Sequence, residues 1–434
     1  MKQILKQYLY SDMASELYKT AQQQGSDVIG KTGNPLHDSG IDYTERYFGQ
    51  IRQEKLVIAT EEASAAVGKS IGTYYTVHTG DLRLLSEEAY ECCGQAIRAS
   101  LLDAMRQLCP DFRIPTDTQK NNEIGNVTAD YGFDKGTVLP TALDDPGEDA
   151  WNRLGVSPEW DQGAHLYNAP PAAFTDPETA DDLHAEGEPF SSVDHDKSAV
   201  TDIPPAPASD LTPFRPMTVL AVGLGNPALT PDALGPMSTE HLSITRHLTE
   251  ENSCGVNGFG GGIHRLCAIT PLVLGQTGIE TLELVRGAVR TVQPDLVILI
   301  DALAASELDT LTKTVQVSTT GIHPGGGVGN KRQPLNRDTL GVPVMTVGVP
   351  TVIAASTLVC RALEHAGILS QITAYETEPQ QNVLLHRALA AADAGYVAPK
   401  DIDASVAEFA RLIAHGINAL SLGTSFAASV QKRI

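Results

Sequence analysis

The sequence has no run of eighteen apolar residues, no cysteines at CxxC spacing, and few basic side chains for its acids. The first absence leaves no candidate for a membrane-spanning helix. The N-terminal stretch MKQILKQYLYSDMASE lacks a long apolar core and a small-residue cleavage site, so no secretory signal is expected. Six cysteines (Cys92, Cys93, Cys109, Cys254, Cys267, Cys360) lie scattered. They predict a reduced, cytoplasmic setting and argue against zinc. Lys and Arg number 31 against 53 Asp and Glu, and the net charge of −22 argues against direct nucleic-acid binding. What remains is globular material: 434 residues, 42% hydrophobic, enough for one large or two ordinary domains.

The acid is not evenly spread. Residues 111–210 hold 21 Asp or Glu against 5 Lys or Arg, and so carry −16 of the net charge. The window is also rich in Pro, Ala and Ser, as in NAPPAAFTDPETADD and IPPAPASD. Such composition buries too little apolar area to offset chain entropy, so a flexible, solvated insertion is expected there.

The chain is organised around MTVLAVGLGNPALTPDALGP, residues 217–236. Val219, Leu220 and Val222 predict a buried strand. Gly223, Gly225 and Asn226 break it and free backbone N–H groups at its carboxyl end. Thr230-Pro231-Asp232 then reads as a helix start, with Thr230 as N-cap and a helix running to about His247. Asp232 either complements that helix dipole or stands where open α/β sheets bind ligands. Asp295-Leu-Val-Ile-Leu-Ile300 predicts a second buried strand, ending in Asp301-Ala302-Leu303-Ala304. Strand–helix–strand alternation puts both carboxylates on one edge of a parallel sheet. Two acids at consecutive strand ends make a site a better reading than two separate caps.

Elsewhere, strands are predicted at 55–60, 71–77, 266–269, 314–318 and 342–347, with Gly68-Lys69 in a turn between the first two. Helical spacing runs from Ser86 to Leu108, through Leu282, Val285, Ala288 and Val289, and through Val406, Phe409, Ala410, Ile413 and Ile417. Gly348-Val349-Pro350-Thr351 reads as the opening of another helix. The Gly-rich run 253–263 lacks the Gly-Lys-Ser/Thr ending of a P-loop, and a loop is the better reading. A second Gly-rich run, from Thr320 to Lys331, suits a loop over a cleft. His323 within it reads as a base, a metal ligand or, more commonly, a structural hydrogen-bonding residue.

Five motifs in order (GLGNPALTPDALGP, GQTGIETLELVRG, IDALA, TGIHPGGGVGNKR and GVPTVI) closely resemble the germination protease of endospore-forming bacteria. The likeness extends to residues 55–77 and to YVAPKDIDASVAEFARLIAHGINAL, covering most of the chain outside the acidic insertion. It implies an α/β fold: a mostly parallel sheet flanked by helices, similar to the hydrogenase-maturation proteases, here with additional strands and the long insertion. It further implies an endopeptidase of the forespore and spore core that degrades small acid-soluble spore proteins, made as a self-processing zymogen and assembled as a tetramer. No cofactor and no membrane partner are implied. The family's proposed catalytic aspartates fall on Asp232 and Asp301, the pair already reached from the residues. The organisation expected is a propeptide over 1–12, protease domain over 13–110, insertion over 111–210 and main core over 211–434.

Asp12-Met13-Ala14-Ser15-Glu16 looks like the family's substrate signature, which puts self-cleavage between Asp12 and Met13, in flexible chain. The plainer reading is a helix start capped by Ser11. Gly225, Asn226, His323 and Lys331 are candidate cleft or oxyanion residues. The chain departs from the family in its long insertion, in the extra Gly-rich segment 255–262, and at Pro271-Leu272-Val273-Leu274-Gly275, where a PGVMG pattern is expected. Two rivals stay open: a metal site of Asp232, Asp301 and His323, and a catalytically silent binding protein.

Overall fold

A computed structural model describes residues 11–26, 40–115, 215–247, 263–324, 332–368, 387, 389–392 and 395–423. The chain divides into two compact units, Met1–Thr128 with Pro213–Ile434, and Ala129–Thr212. All described residues belong to the first. The expected propeptide before Ser11, most of the acidic insertion, and the Gly-rich runs 253–262 and 325–331 lie outside them.

In chain order the elements are α1 (Ala14–Ser26), β1 (Ile41–Phe48), β2 (Ile51–Ile58), α2 (Glu61–Val67), β3 (Gly72–His78), α3 (Glu87–Leu108), β4 (Thr218–Gly223), α4 (Leu234–Glu240), β5 (Arg265–Ile269), α5 (Thr281–Val292), β6 (Leu296–Ala305), β7 (Thr314–Ser318), β8 (Val344–Ala354), α6 (Ala355–His365), β9 (Tyr396–Val397) and α7 (Ile402–Leu422). The strands form one mixed sheet in the order β1-β2-β3-β7-β8-β6-β4-β5, with β9 added beside β8. Its β8-β6-β4-β5 part is parallel, as the alternation of strands and helices predicted. The additional strands β1, β2, β3 and β7 continue it antiparallel.

Period-two alternation sends the strands' side chains to two faces. On one face Val219, Ala221, Ile298, Ile300, Val315, Val317 and Val347 pack with the buried sides of α3, α4 and α7 in the main core. Ile97, Leu101, Phe409 and Ile413 are fully or almost fully buried there. α3 begins where the helical spacing predicts, and Ser86 caps it, its hydroxyl accepting from Ala89 N–H. On the other face are two smaller clusters. Leu220, Val222, Val297 and Leu299 pack under Leu282, Val285 and Val289 of α5. Leu56, Ile58 and Tyr74 pack under Ala14 and Tyr18 of α1 and Ala63 and Val67 of α2.

Several local expectations are corrected. Between β2 and β3 the chain makes the short helix α2 rather than a turn, and Gly68 is its left-handed cap. Thr230 is not an N-cap: Thr230–Asp232 is a single 3-10 turn preceded by Leu229, with no side-chain cap. The helix after it stops at Glu240. Asp301 is not at a strand end, because β6 runs on to Ala305. Residues 348–351 lie inside β8, which ends only at Ala354. In both strands the neighbour across the ladder sustains the extended chain past the point where local sequence suggests a stop. Ser11–Glu16, expected to be flexible, is docked: Met13 and Ala14 are fully buried.

Candidate active site

The site begins where β4 ends. Leu224 N–H donates to Ile300 C=O at 2.8 Å, holding the outgoing chain against β6. Gly225 follows with φ +115°, and a Cβ there would stand 1.9 Å from the Asp232 carbonyl oxygen. Only glycine lets the turn fold back so tightly. The fold-back brings Asn226 N–H to 2.8 Å from Asp232 Oδ2. Asn226 Oδ1 accepts from Ala228 N–H at 3.0 Å and from Gln276 Nε2 at 2.9 Å. Thr351 Oγ1 donates to Pro231 C=O at 2.6 Å and ties the turn to β8. Asp232 is thus a half-buried carboxyl on a turn fastened at both sides. Burial pushes its pKa up, and the Asn226 N–H holds it down in part.

Asp301 is almost fully buried, 6% exposed. Its Oδ1 accepts from Ala302 N–H at 3.0 Å. Burial pushes its pKa well above the usual carboxyl value, and the charges of Asp232 and then Asp12 push it further the same way. The charge of Asp232 thus bears on the Asp301 carboxyl. Across the ladder Asp301 pairs with Gly348, and Gly348 pairs with Gln316 of β7. Asp301 and Gln316 so occupy one row of the sheet, on the face carrying α1 and α5.

A third carboxyl joins them, from the docked N-terminal segment. Among the described residues no strand continues beside β6 on the β4 side beyond Gly223, and Asp12 lies there. Its N–H donates to Ala304 C=O at 2.8 Å, and its Oδ2 accepts from Ala304 N–H at 2.9 Å. Its backbone carbonyl accepts from Lys69 Nζ at 2.8 Å and Gln316 Nε2 at 3.1 Å. Gln316 Oε1 in turn accepts from Ala14 N–H at 2.7 Å. Glu16, 4% exposed, accepts at Oε2 from Ser306 N–H and Oγ, both at 2.7 Å, and from Ser11 Oγ at 2.6 Å. Thr310 Oγ1 donates to its Oε1. Burial raises the Asp12 pKa against the opposing pull of Lys69. Burial lowers that of Lys69, while Asp12 and Glu16 hold it up.

The sequence-predicted residues divide accordingly. Asp232, Gly225 and Asn226 make one turn, Asp301 is coupled to it, and Asp12-Met13 lies beside β6. His323 is exposed and outside this group. Among the described residues no three His, Cys, Asp or Glu are grouped to hold a metal ion, so the site imagined from Asp232, Asp301 and His323 is not formed. Lys331 lies outside the described residues. Sequence reasoning missed Lys69 and Gln316. A glutamine inside the short strand Thr314–Ser318 was the available signal, since a buried amide must find partners.

Residues 215–367 match the family model described as germination protease. Curated germination proteases align with the chain: that of Clostridium acetobutylicum is 40% identical over 214 residues, 46% of this chain and 64% of the relative. That of Bacillus subtilis is 49% identical over 146 residues, 34% of this chain and 39% of the relative. That of a Geobacillus species is 52% identical over 136 residues, 31% and 36% of the two chains. The chain spans between 36% and 64% of the length of these relatives. Among solved structures, a [NiFe] hydrogenase maturation protease HycI from Thermococcus kodakarensis aligns at 15% identity and a TM-score of 0.23, over 46% of this chain and 92% of that one. The resemblance read from the motifs is thus borne out in sequence, and both aspartates lie inside the matched segment.

Proposed function

We propose, from a segment that carries the germination-protease pattern, that this chain is an endopeptidase acting on small acid-soluble spore proteins during germination, with Asp232 and Asp301 as its catalytic pair. One observation carries the reading: the turn that bears Asp232 is fastened to β6 by Leu224 N–H on Ile300 C=O, one residue before the buried carboxyl of Asp301, whose pKa is raised by burial and then by the charge of Asp232. Two like charges in one low-dielectric site do not both ionise near neutral pH, so the pair holds one proton. That proton belongs on Asp301, the more buried of the two. Asp232, less buried and supported by the Asn226 N–H, is the carboxylate.

The roles follow. Asp232 takes a proton from water as the water oxygen bonds to the peptide carbonyl carbon. The carbonyl oxygen gains the negative charge. As the C–N bond breaks, Asp301 gives its proton to the leaving nitrogen, and acid and amine products result. We extend the proposal to self-processing at Asp12–Met13 and to assembly as a homotetramer, both implied by the resemblance. Sedimentation tests the second.

Asp232→Asn and Asp301→Asn test the first. Each is expected to abolish cleavage of a purified spore protein and the conversion of the Met1 terminus to a Met13 terminus by intact mass. Wild-type rates in either variant would sink the dyad.

A further inference from the structure

The Asp12 carbonyl is one end of the peptide bond that the sequence marks for self-cleavage, and it is gripped by two side-chain donors. Lys69 Nζ lies 2.8 Å from it and Gln316 Nε2 3.1 Å. Neither donor belongs to the helix that the segment starts. Lys69 follows α2 and Gln316 sits in β7, respectively 57 and 304 residues from Asp12 along the chain. From this geometry we infer that Lys69 and Gln316 are the oxyanion-stabilising residues of the reaction, and that the track holding Ser11–Glu16 is the substrate track. The inference rests on the reading of the site as a peptidase.

The chemistry suits those side chains. A carbonyl oxygen that becomes an oxyanion needs donors already aimed at it, and an ammonium adds charge to direction. Gln316 does a second thing: its Oε1 accepts from Ala14 N–H, so one amide spans the bond from its acid side to two residues beyond. That fixes the peptide's register. The rest of the track reads side chains. Ala304 N–H donates to the carboxylate before the bond. Ser306 N–H, Ser306 Oγ and Thr310 Oγ1 receive the carboxylate of Glu16, four residues after Asp12. An acid, an apolar residue and then a glutamate three residues further on are thus matched by built partners. A peptide chain entering in place of Ser11–Glu16 meets the same donors.

The bond scission is written with its atoms. Water adds to the Asp12 carbonyl carbon and loses a proton to Asp232. The carbonyl oxygen turns anionic against Lys69 and Gln316. The carbon–nitrogen bond then breaks, with the Asp301 proton going to Met13 nitrogen. Lys69 takes no part in the proton transfers.

The test uses the full chain and two readouts. In the first, Lys69→Met and Gln316→Leu are assayed on a peptide containing Asp-Met-Ala-Ser-Glu. Loss of one oxyanion donor is expected to lower kcat by about 10²–10³-fold, with a much smaller change in KM. A rise in KM at unchanged kcat makes these residues anchors only, and overturns the inference, as do wild-type rates. Thr310→Val, which leaves Lys69 and Gln316 alone, is expected to lower kcat/KM for that peptide and not for its Glu→Gln form. Equal losses on both overturn the glutamate pocket.

The second readout needs no turnover. Asp–Met occurs once in the sequence, so 13C-carbonyl aspartate with 15N-methionine isolates the Asp12–Met13 bond. In an Asp301→Asn background, the carbonyl resonance is expected to move upfield when Lys69→Met is added, because a donor is lost. An unmoved resonance overturns the grip itself. If the wild-type chain cleaves neither spore protein nor peptide while the resonance shifts, the peptidase reading fails and the carbonyl grip stands.

Discussion

At the scale of single residues, the site stores electrostatic free energy that a conservative change releases. Asp301 has a folded-state pKa raised above its ordinary 3.8 by burial, by Asp232 and by Asp12. A carboxyl of this kind favours the folded state fully below 3.8, and that contribution is lost as pH rises through the folded value. Asparagine has no such loss and still accepts from Ala302 N–H. The melting temperature of Asp301→Asn relative to the unchanged chain is therefore expected to climb between pH 4 and pH 7. A flat difference across that range would show that Asp301 ionises freely. Leu272 shows the opposite economy. It stands where the motif resemblance predicts glycine, and its backbone is in the left-handed conformation, φ 62°. A side chain there costs about 1–2 kcal/mol, of which the freer unfolded chain of glycine returns ~0.5–1. Leu272→Gly is expected to stabilise the protein by roughly 0.5–1 kcal/mol in a urea titration.

At the scale of elements, one buried acid ties α1 to the antiparallel half of the sheet. Glu54 of β2 is 1% exposed and contacts Lys19 of α1 at 2.9 Å, Arg52 at 3.2 Å and His78 of β3 at 3.1 Å. Burial alone would raise its pKa, but His78 and Lys19 overcome that and bring it down to about 2. The sign is the reverse of Asp301. Stability from Glu54 is present above the ordinary value of 4.5 and is lost as pH falls through about 2. Glu54→Gln leaves the partly exposed Lys19 and Arg52 facing a neutral amide and is expected to cost about 1–2 kcal/mol at pH 7. The difference should shrink on acidification, as followed by circular dichroism. Because α1 carries Ala14 and Glu16 into the substrate track, the same variant should also loosen the docked N-terminal segment. Faster hydrogen exchange at Ala14 N–H would report it.

At the scale of the whole molecule, a long excursion of the chain leaves and returns at one imidazole. His264 Nδ1 accepts from Met217 N–H at 3.0 Å, and its Nε2–H donates to Arg113 C=O at 2.8 Å. Phe112 stacks on its ring, centroids 4.8 Å apart. Both ends of the intervening chain are thereby held at the sheet, independently of what lies between them. Replacing residues 116–214 by a Gly/Ser linker of about eight residues is expected to leave the sheet fold intact. Loop-closure entropy alone favours the short form by about 2 kcal/mol. Cooperative melting and undiminished cleavage of an Asp-Met-Ala-Ser-Glu peptide would support this. A molten or insoluble product would make the segment part of the fold.

Much of this was legible in the residues. The apolar runs at 218–223 and 296–300 are buried on both faces, and that burial is written in continuous branched side chains. The glycine turn and the carboxyls of Asp232 and Asp301 follow from punctuation between such runs. The long helices Glu87–Leu108 and Ile402–Leu422 announced themselves by period. Where strands stop was not legible. β6 and β8 continue to Ala305 and Ala354 because each is the other's hydrogen-bonding partner, and that is a property of the pair. The N-terminal segment escaped for the same reason. Ser11–Glu16 is polar enough to read as loose chain, and only its contacts with β6, Lys69 and Gln316 turn it into a docked helix start. Local sequence carries propensity and pattern; partners brought from tens to hundreds of residues away exist only once the sheet has closed.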